Sequence, residues 1–174
     1  MNSSAMPTTT SLPAIIVMGV SGCGKSTVGR LLGERLAWRF VDADDYHPSA
    51  NIEKMRCGIA LTDEDRGPWL ERLNAVMRHS HSKGEPVALA CSALKQRYRD
   101  ILADRLDGLR FIYLRGSFET ILARAKARQH DYMPASLLRS QFDALEPPAD
   151  AWTFDIDALT PAQIVDAVVA RLDL

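Results

Sequence analysis

Gly19-Val20-Ser21-Gly22-Cys23-Gly24-Lys25-Ser26-Thr27 is the most telling stretch of this chain. It matches G-x-x-x-x-G-K-[ST], the pattern of a phosphate-binding loop. The apolar run Ala14–Met18 precedes it, and a helical pattern with Val28, Leu31, Leu32 and Leu36 follows. That strand–loop–helix setting is the one the pattern requires. Glycines let successive backbone N–H groups face phosphate oxygens without a Cβ in the way. The following helix N-terminus adds free N–H groups and a favourable dipole. All nine residues are therefore candidates for nucleotide contact. Lys25 is placed to reach the β- and γ-phosphates, and the Ser26 hydroxyl to ligate Mg²⁺. Cys23 fills a variable position, which implies no reactive role.

The bulk numbers fit one globular domain with a sizeable core. The chain has 174 residues, of which 47% are hydrophobic and 25% charged. A net charge of −1 argues against a broad nucleic-acid surface. No apolar run nears the ~20 residues needed to cross a bilayer, so no membrane role is expected. Three cysteines in unlike contexts (Cys23, Cys57, Cys91) read as reduced thiols in the cytoplasm. Residues 1–12 read as a disordered polar tail, with no basic start and no hydrophobic core of a signal peptide. Residues 13–174 read as the folded domain.

Five β-rich runs alternate with helical patterns: Ala14–Met18, Arg39–Asp42, Val87–Cys91, Arg110–Leu114 and Thr153–Ile156. Alternation of this kind predicts a parallel sheet with helices on both faces. Trp69, Leu70, Leu73, Val76 and Met77 form one helical stripe, with Pro68 near its first turn. Leu137, Leu138, Phe142 and Leu145 form another, stopped by Pro147-Pro148. Thr160-Pro161-Ala162-Gln163 reads as a capping box opening the last helix. These stripes are core, and Trp69 carries no functional weight. In such sheets chemistry lies in the loops after the strands.

Asp42 and Asp44 follow the second strand. If strand geometry persists, they point the same way. One can hold Mg²⁺, directly or through water, and the other can orient or deprotonate an attacking hydroxyl. The same residues also fit a solvated Asp-rich turn. Neither an aspartate at the end of the third strand nor a guanine-reading Asn-Lys-x-Asp is present. Both absences favour a small-molecule kinase over a motor ATPase or GTPase. Lys54, Arg56 and Arg66 form one cationic cluster, and Lys95, Arg97 and Arg99 another. An anionic acceptor needs such groups, although ion-paired helix surface is the competing account. His47 adjoins the acidic loop, whereas His79 and His81 read as surface. Arg124 and Arg128 share a helical face before Gln129-His130-Asp131-Tyr132-Met133-Pro134. There a lid over about 125–135 could close on a nucleotide.

Longer strings carry a specific resemblance. They are Met18–Ser26, Asp42-Ala43-Asp44-Asp45-Tyr46-His47-Pro48, Asn51-Ile52-Glu53-Lys54-Met55 with Gly58, and Leu61-Thr62-Asp63-Glu64-Asp65-Arg66-Gly67-Pro68-Trp69-Leu70. Cys91-Ser92-Ala93-Leu94-Lys95 with Tyr98-Arg99, and Ser140-Gln141-Phe142 before Leu145-Glu146, complete the set. From about Ala14 to Leu172 the chain resembles the gluconate kinases (gluconokinases) of the shikimate-kinase-like group. That resemblance implies an α/β P-loop NTPase fold, a three-layer α/β/α sandwich on a five-stranded parallel sheet of order 2-3-1-4-5 with a small lid. It implies phosphorylation of D-gluconate to 6-phospho-D-gluconate by ATP with Mg²⁺, often in a homodimer. Lys25, Asp44 and Arg128 would be catalytic, and Ser26 and Asp42 would serve the metal. Arg124 would stack on adenine and Arg128 contact phosphate. Asp44, His47, Lys54, Arg66, Ser92, Lys95 and Arg99 would form the acceptor set. Relatives tend to carry His-Phe where this chain has Asp131-Tyr132, with its histidine one place earlier at His130. A kinase of another hydroxy acid such as shikimate, a nucleoside monophosphate kinase, or a nucleotide-dependent switch are the competing readings.

Overall fold

A computed structural model describes residues 12–128 and 134–173. Most of the expected tail, and Gln129–Met133 of the expected lid with His130 and Asp131, lie outside those residues. The elements run β1 (Ala14–Met18), α1 (Lys25–Leu36), β2 (Arg39–Asp42), α2 (Ser49–Arg56), α3 (Asp63–Ser82) and β3 (Val87–Ala90). Then come α4 (Gln96–Ala103), β4 (Arg110–Arg115), α5 (Phe118–Ala127), α6 (Ala135–Ala144), β5 (Trp152–Asp155) and α7 (Pro161–Leu172). The sheet order is β2-β3-β1-β4-β5, parallel throughout, as the resemblance implied.

β1 is central, and its alternating side chains build two separate cores. Ala14, Ile16 and Met18 pack with Trp69, Leu70, Leu73 and Met77 of α3 and with Tyr98 and Leu102 of α4. Ile15 and Val17 pack on the other face with Val28 and Leu32 of α1, Ile121 of α5, Leu138 of α6, and Ile164 and Val168 of α7. All five β1 residues are fully buried. A strand covered on both faces must be apolar throughout, and Ala-Ile-Ile-Val-Met is.

Two local expectations need correction. Pro68 lies in the second turn of its helix, not near the first. α3 starts five residues earlier, where the Thr62 hydroxyl accepts from Asp65 N–H and the Asp65 carboxylate accepts from Thr62 N–H. Asp65 fills the place that Glu or Gln usually takes in this capping box. Nor does strand geometry persist to Asp44. The chain turns into a 3-10 helix (Ala43–Tyr46), because the Asp42 carboxylate caps it by accepting from Asp44 N–H at 3.0 Å.

Candidate active site

The phosphate loop leaves β1 through Gly19, whose φ of +144° and tight surroundings admit only glycine. A Cβ there would stand 2.7 Å from Cys23 Sγ and 2.8 Å from the Leu114 carbonyl oxygen. Gly19 N–H donates to the Ser92 carbonyl at 3.2 Å and Cys23 N–H to the Val20 carbonyl at 3.3 Å. Lys25 opens α1 and folds its ammonium back onto the Val20 carbonyl at 3.0 Å, over the loop itself. Gly24 precedes the helix with φ +99°, so no Cβ lines the mouth of the loop there. Beside the loop lies a cavity of about 270 Å³ whose walls include Gly24, Thr27, Arg124, Arg128, Leu159 and Ile164. Arg124 is steadied there by donating to the Ile156 carbonyl at 3.1 Å. A cavity with an apolar floor and two guanidinium groups suits a purine ring and its phosphates.

Ser26 and Asp42 meet. The Ser26 hydroxyl donates to Asp42 Oδ2 at 2.8 Å, while Asp42 Oδ1 holds Asp44 N–H. One hydroxyl and one carboxylate are hard oxygen donors suited to Mg²⁺, which keeps waters and substrate phosphates as its other ligands. Among the described residues no group of three or more His, Cys, Asp or Glu could hold a metal alone. The Asp44 carboxylate is largely exposed and stands 3.9 Å from His47 Nε2. His47 is buried and stacked on Trp69, with ring centroids 4.0 Å apart. Burial, and secondly the Arg66 charge, hold its pKa below the usual histidine value, which favours the neutral ring. Trp69 Nε1 in turn donates to the Ala43 carbonyl at 2.8 Å. Trp69 thus supports the acidic turn as well as the core, and no feature of a single sequence would have indicated that.

The cations expected at the acceptor side all have partners within the chain. Lys54 donates to both oxygens of Asp65 at 2.8 Å. Lys95 reaches Asp63 at 3.1 Å and Arg97 reaches it at 2.8 Å, and the Tyr98 hydroxyl donates to the same carboxylate. Arg66 donates to the Leu61 carbonyl and lies 5.6 Å from the Tyr98 ring centroid. The Lys54 and Thr62 hydrogen bonds pull the Asp65 carboxyl down to about 2. The Tyr98 hydroxyl, then Lys95, hold Asp63 below the usual carboxylate range. Arg99 faces inward at 3% exposure and donates to the carbonyls of Ala93, Leu94 and Glu146 and to Gln96 Oε1. Its two terminal nitrogens are engaged by the chain itself and fasten the loop after β3 to the segment past α6. Sequence reasoning found these cations but missed Asp63 and Asp65, the two carboxylates that organise them. Helix α3 begins at Asp63, and that start was the signal available.

The matched relatives point to one family. The pattern of the shikimate kinase family matches residues 21–173. The thermosensitive gluconokinase of Escherichia coli K12 is 49% identical over 135 residues, covering 78% of this chain and 72% of that protein. A probable gluconokinase of Mus musculus is 44% identical over 178 residues, covering 91% and 96%. Among solved structures, a gluconokinase from Sinorhizobium meliloti superposes with a TM-score of 0.82 at 41% identity, covering 92% of this chain and 94% of that one.

Proposed function

This chain belongs to the gluconokinase family, within the shikimate kinase family, and on that footing we propose that it phosphorylates D-gluconate with ATP, giving 6-phospho-D-gluconate and ADP. The observation that carries the reading is the meeting of donor and acceptor elements at the carboxyl end of the sheet. Ser26 of the phosphate loop touches Asp42, and Asp42 holds the backbone of Asp44. Transfer is direct and in line from the γ-phosphoryl group to the sugar-acid hydroxyl.

In this reading the loop N–H groups and the α1 N-terminus hold the phosphates, and Lys25 leaves the Val20 carbonyl to reach them. Arg124 flanks the base, and Arg128 meets phosphate charge from the cavity wall. Ser26 and Asp42 would hold Mg²⁺, which would supply neutralisation of the β- and γ-phosphate charge. Asp44 orients the acceptor hydroxyl and takes its proton. A loose transition state asks little of a base, so positioning is its main contribution. Neutral His47, fixed against Trp69, stands beside it as a hydrogen-bonding group for the acceptor. Ser92, Lys95, Arg66 and Lys54 line the acceptor side, where the acceptor's carboxylate competes with Asp63 and Asp65 for the cations. Arg99 acts through the loop it fastens. The reading extends to a cytoplasmic homodimer. An exposed Cys57 thiol suits a reducing compartment, and exposed Ile52, Met55 and Ile59 on and after α2 offer apolar surface for a second copy.

The test is ADP release with ATP and Mg²⁺ in the presence and absence of D-gluconate, beside shikimate and nucleoside monophosphates. Turnover is expected to depend on gluconate. Preference for another acceptor would replace the substrate. Slow hydrolysis indifferent to every acceptor would point to a nucleotide switch.

A further inference from the structure

The chain that returns from the lid region touches both half-sites within six residues. Gln141, on α6, offers Oε1 to the Ser21 N–H of the phosphate loop at 2.7 Å, across 120 positions of sequence. Glu146, just past the helix, grips the loop after β3. Its Oε2 accepts from Gln96 N–H at 2.7 Å, its own N–H donates to the Leu94 carbonyl at 2.9 Å, and its carbonyl accepts from Arg99 at 2.9 Å. The helix that carries Gln141 is itself anchored. Leu138 is fully buried, Phe142 meets Phe118 edge-on at 5.6 Å, and Arg139 lies 3.8 Å over the same Phe118 ring. A short segment running out of an anchored helix therefore connects the loop assigned to ATP with the loop assigned to the sugar acid.

We propose that Gln141 and Glu146 are positioning residues, and that the segment between them is a brace setting the separation of the donor and acceptor loops. The inference rests on the kinase reading above, since a brace matters only where two bound substrates must meet. In-line transfer needs the attacking oxygen and the γ-phosphorus held close and aligned, and a misplacement near 1 Å costs about a hundredfold. Periodic apolar packing alone does not supply that accuracy across two loops. Hydrogen bonds from a packed helix do.

Steady-state kinetics on the full chain test this, with both substrates saturating and well below the thermal midpoint. Gln141→Leu and Glu146→Ala are each expected to lower kcat about tenfold or more, while ADP affinity and the thermal midpoint stay near wild type. The combined variant is expected to fall to about the same level as the worse single one, because cutting either end already frees the brace. Glu146→Gln, which keeps an oxygen for Gln96 N–H, is expected to hold kcat near wild type. Glu146 is exposed, so its replacement leaves the core intact. Wild-type kcat in both single variants overturns the brace. So does a combined loss equal to the product of the single ones, or a Glu146→Gln variant as slow as Glu146→Ala. Wild-type protein without gluconate-dependent turnover would instead defeat the assigned reaction.

Discussion

Asp44 and Asp42 sit two residues apart and do different things because their surroundings differ. Asp42 has both oxygens engaged, by the Ser26 hydroxyl and by Asp44 N–H, so it is fixed beside the phosphate loop. Asp44 projects toward solvent with neutral His47 at its side, as a group that must meet an incoming hydroxyl would. Replacing Asp44 by Asn is expected to lower turnover by about 10²–10⁴ with little change in ATP affinity. Near-normal turnover in that variant would remove Asp44 from the mechanism. Asp65 makes a contrasting, structural case. Its carboxyl drops from an ordinary 3.8 to about 2 because Lys54 and the Thr62 N–H bind the ionised form. A depressed acid stabilises the fold above its unfolded pKa and loses that contribution as pH falls toward the folded one. The gap in urea midpoint between wild type and Asp65→Asn is therefore expected to be constant above about pH 5 and to close as pH falls from about 4 toward 2. A gap that holds steady to pH 3 would mean that the ion pair and cap do not carry it. The charges were visible in the sequence, but their pairing was not. Lys54 and Asp65 are eleven apart with a turn between, and spacing alone offers no reason to prefer Asp65 over water.

Elements were more legible than contacts. Each strand was placed to within a residue at either end, because buried parallel strands are short apolar runs bounded by polar turns. Pro68 fell in the second turn of α3 and not near the first, because the Thr62…Asp65 capping box, a weaker signal in the sequence, opens the helix earlier. The straight run to Asp44 failed because a side chain, Asp42, ended the strand by capturing the next backbone N–H. The link from Gln141 to Ser21 joins two elements that no local pattern relates. The phosphate loop is the opposite extreme, since its shape follows from its glycines. Gly19→Ala puts a Cβ in a backbone region that L residues rarely adopt and against both Cys23 Sγ and the Leu114 carbonyl. ADP affinity by calorimetry is expected to fall about tenfold or more, as strain of 1–3 kcal/mol displaces the loop. The Gly19→Ala/Cys23→Ala protein is expected to stay defective, because the Leu114 oxygen belongs to β4 and cannot move aside. Recovery in that double variant would assign the constraint to the sulfur alone.

At the scale of the molecule, the apolar packing lies on the two faces of the sheet and the candidate site at one end of it. The two cores lie above and below β1, whereas the phosphate loop, the acidic turn and the loop after β3 all leave the carboxyl ends of strands. The architecture could be anticipated from alternation of strands and helices, but the way α6 and the segment after it fasten the two loops needed the folded chain. This separation has a measurable consequence at Leu73. It is fully buried in the α3 core, packed under the sheet beside Leu70 and Met77. Leu73→Ala is expected to cost about 2–5 kcal/mol of unfolding free energy through lost burial and the cavity left behind. Both KM values should stay near wild type below the thermal midpoint. A ligand that binds only the folded protein adds back stability by mass action, about 2.7 kcal/mol at ~100 times its dissociation constant. ADP at that excess should therefore raise the unfolding free energy of wild type and Leu73→Ala by the same increment. A smaller increment in the variant, with ADP affinity reduced to match, would show that the core under β1 and the phosphate loop are one cooperative unit.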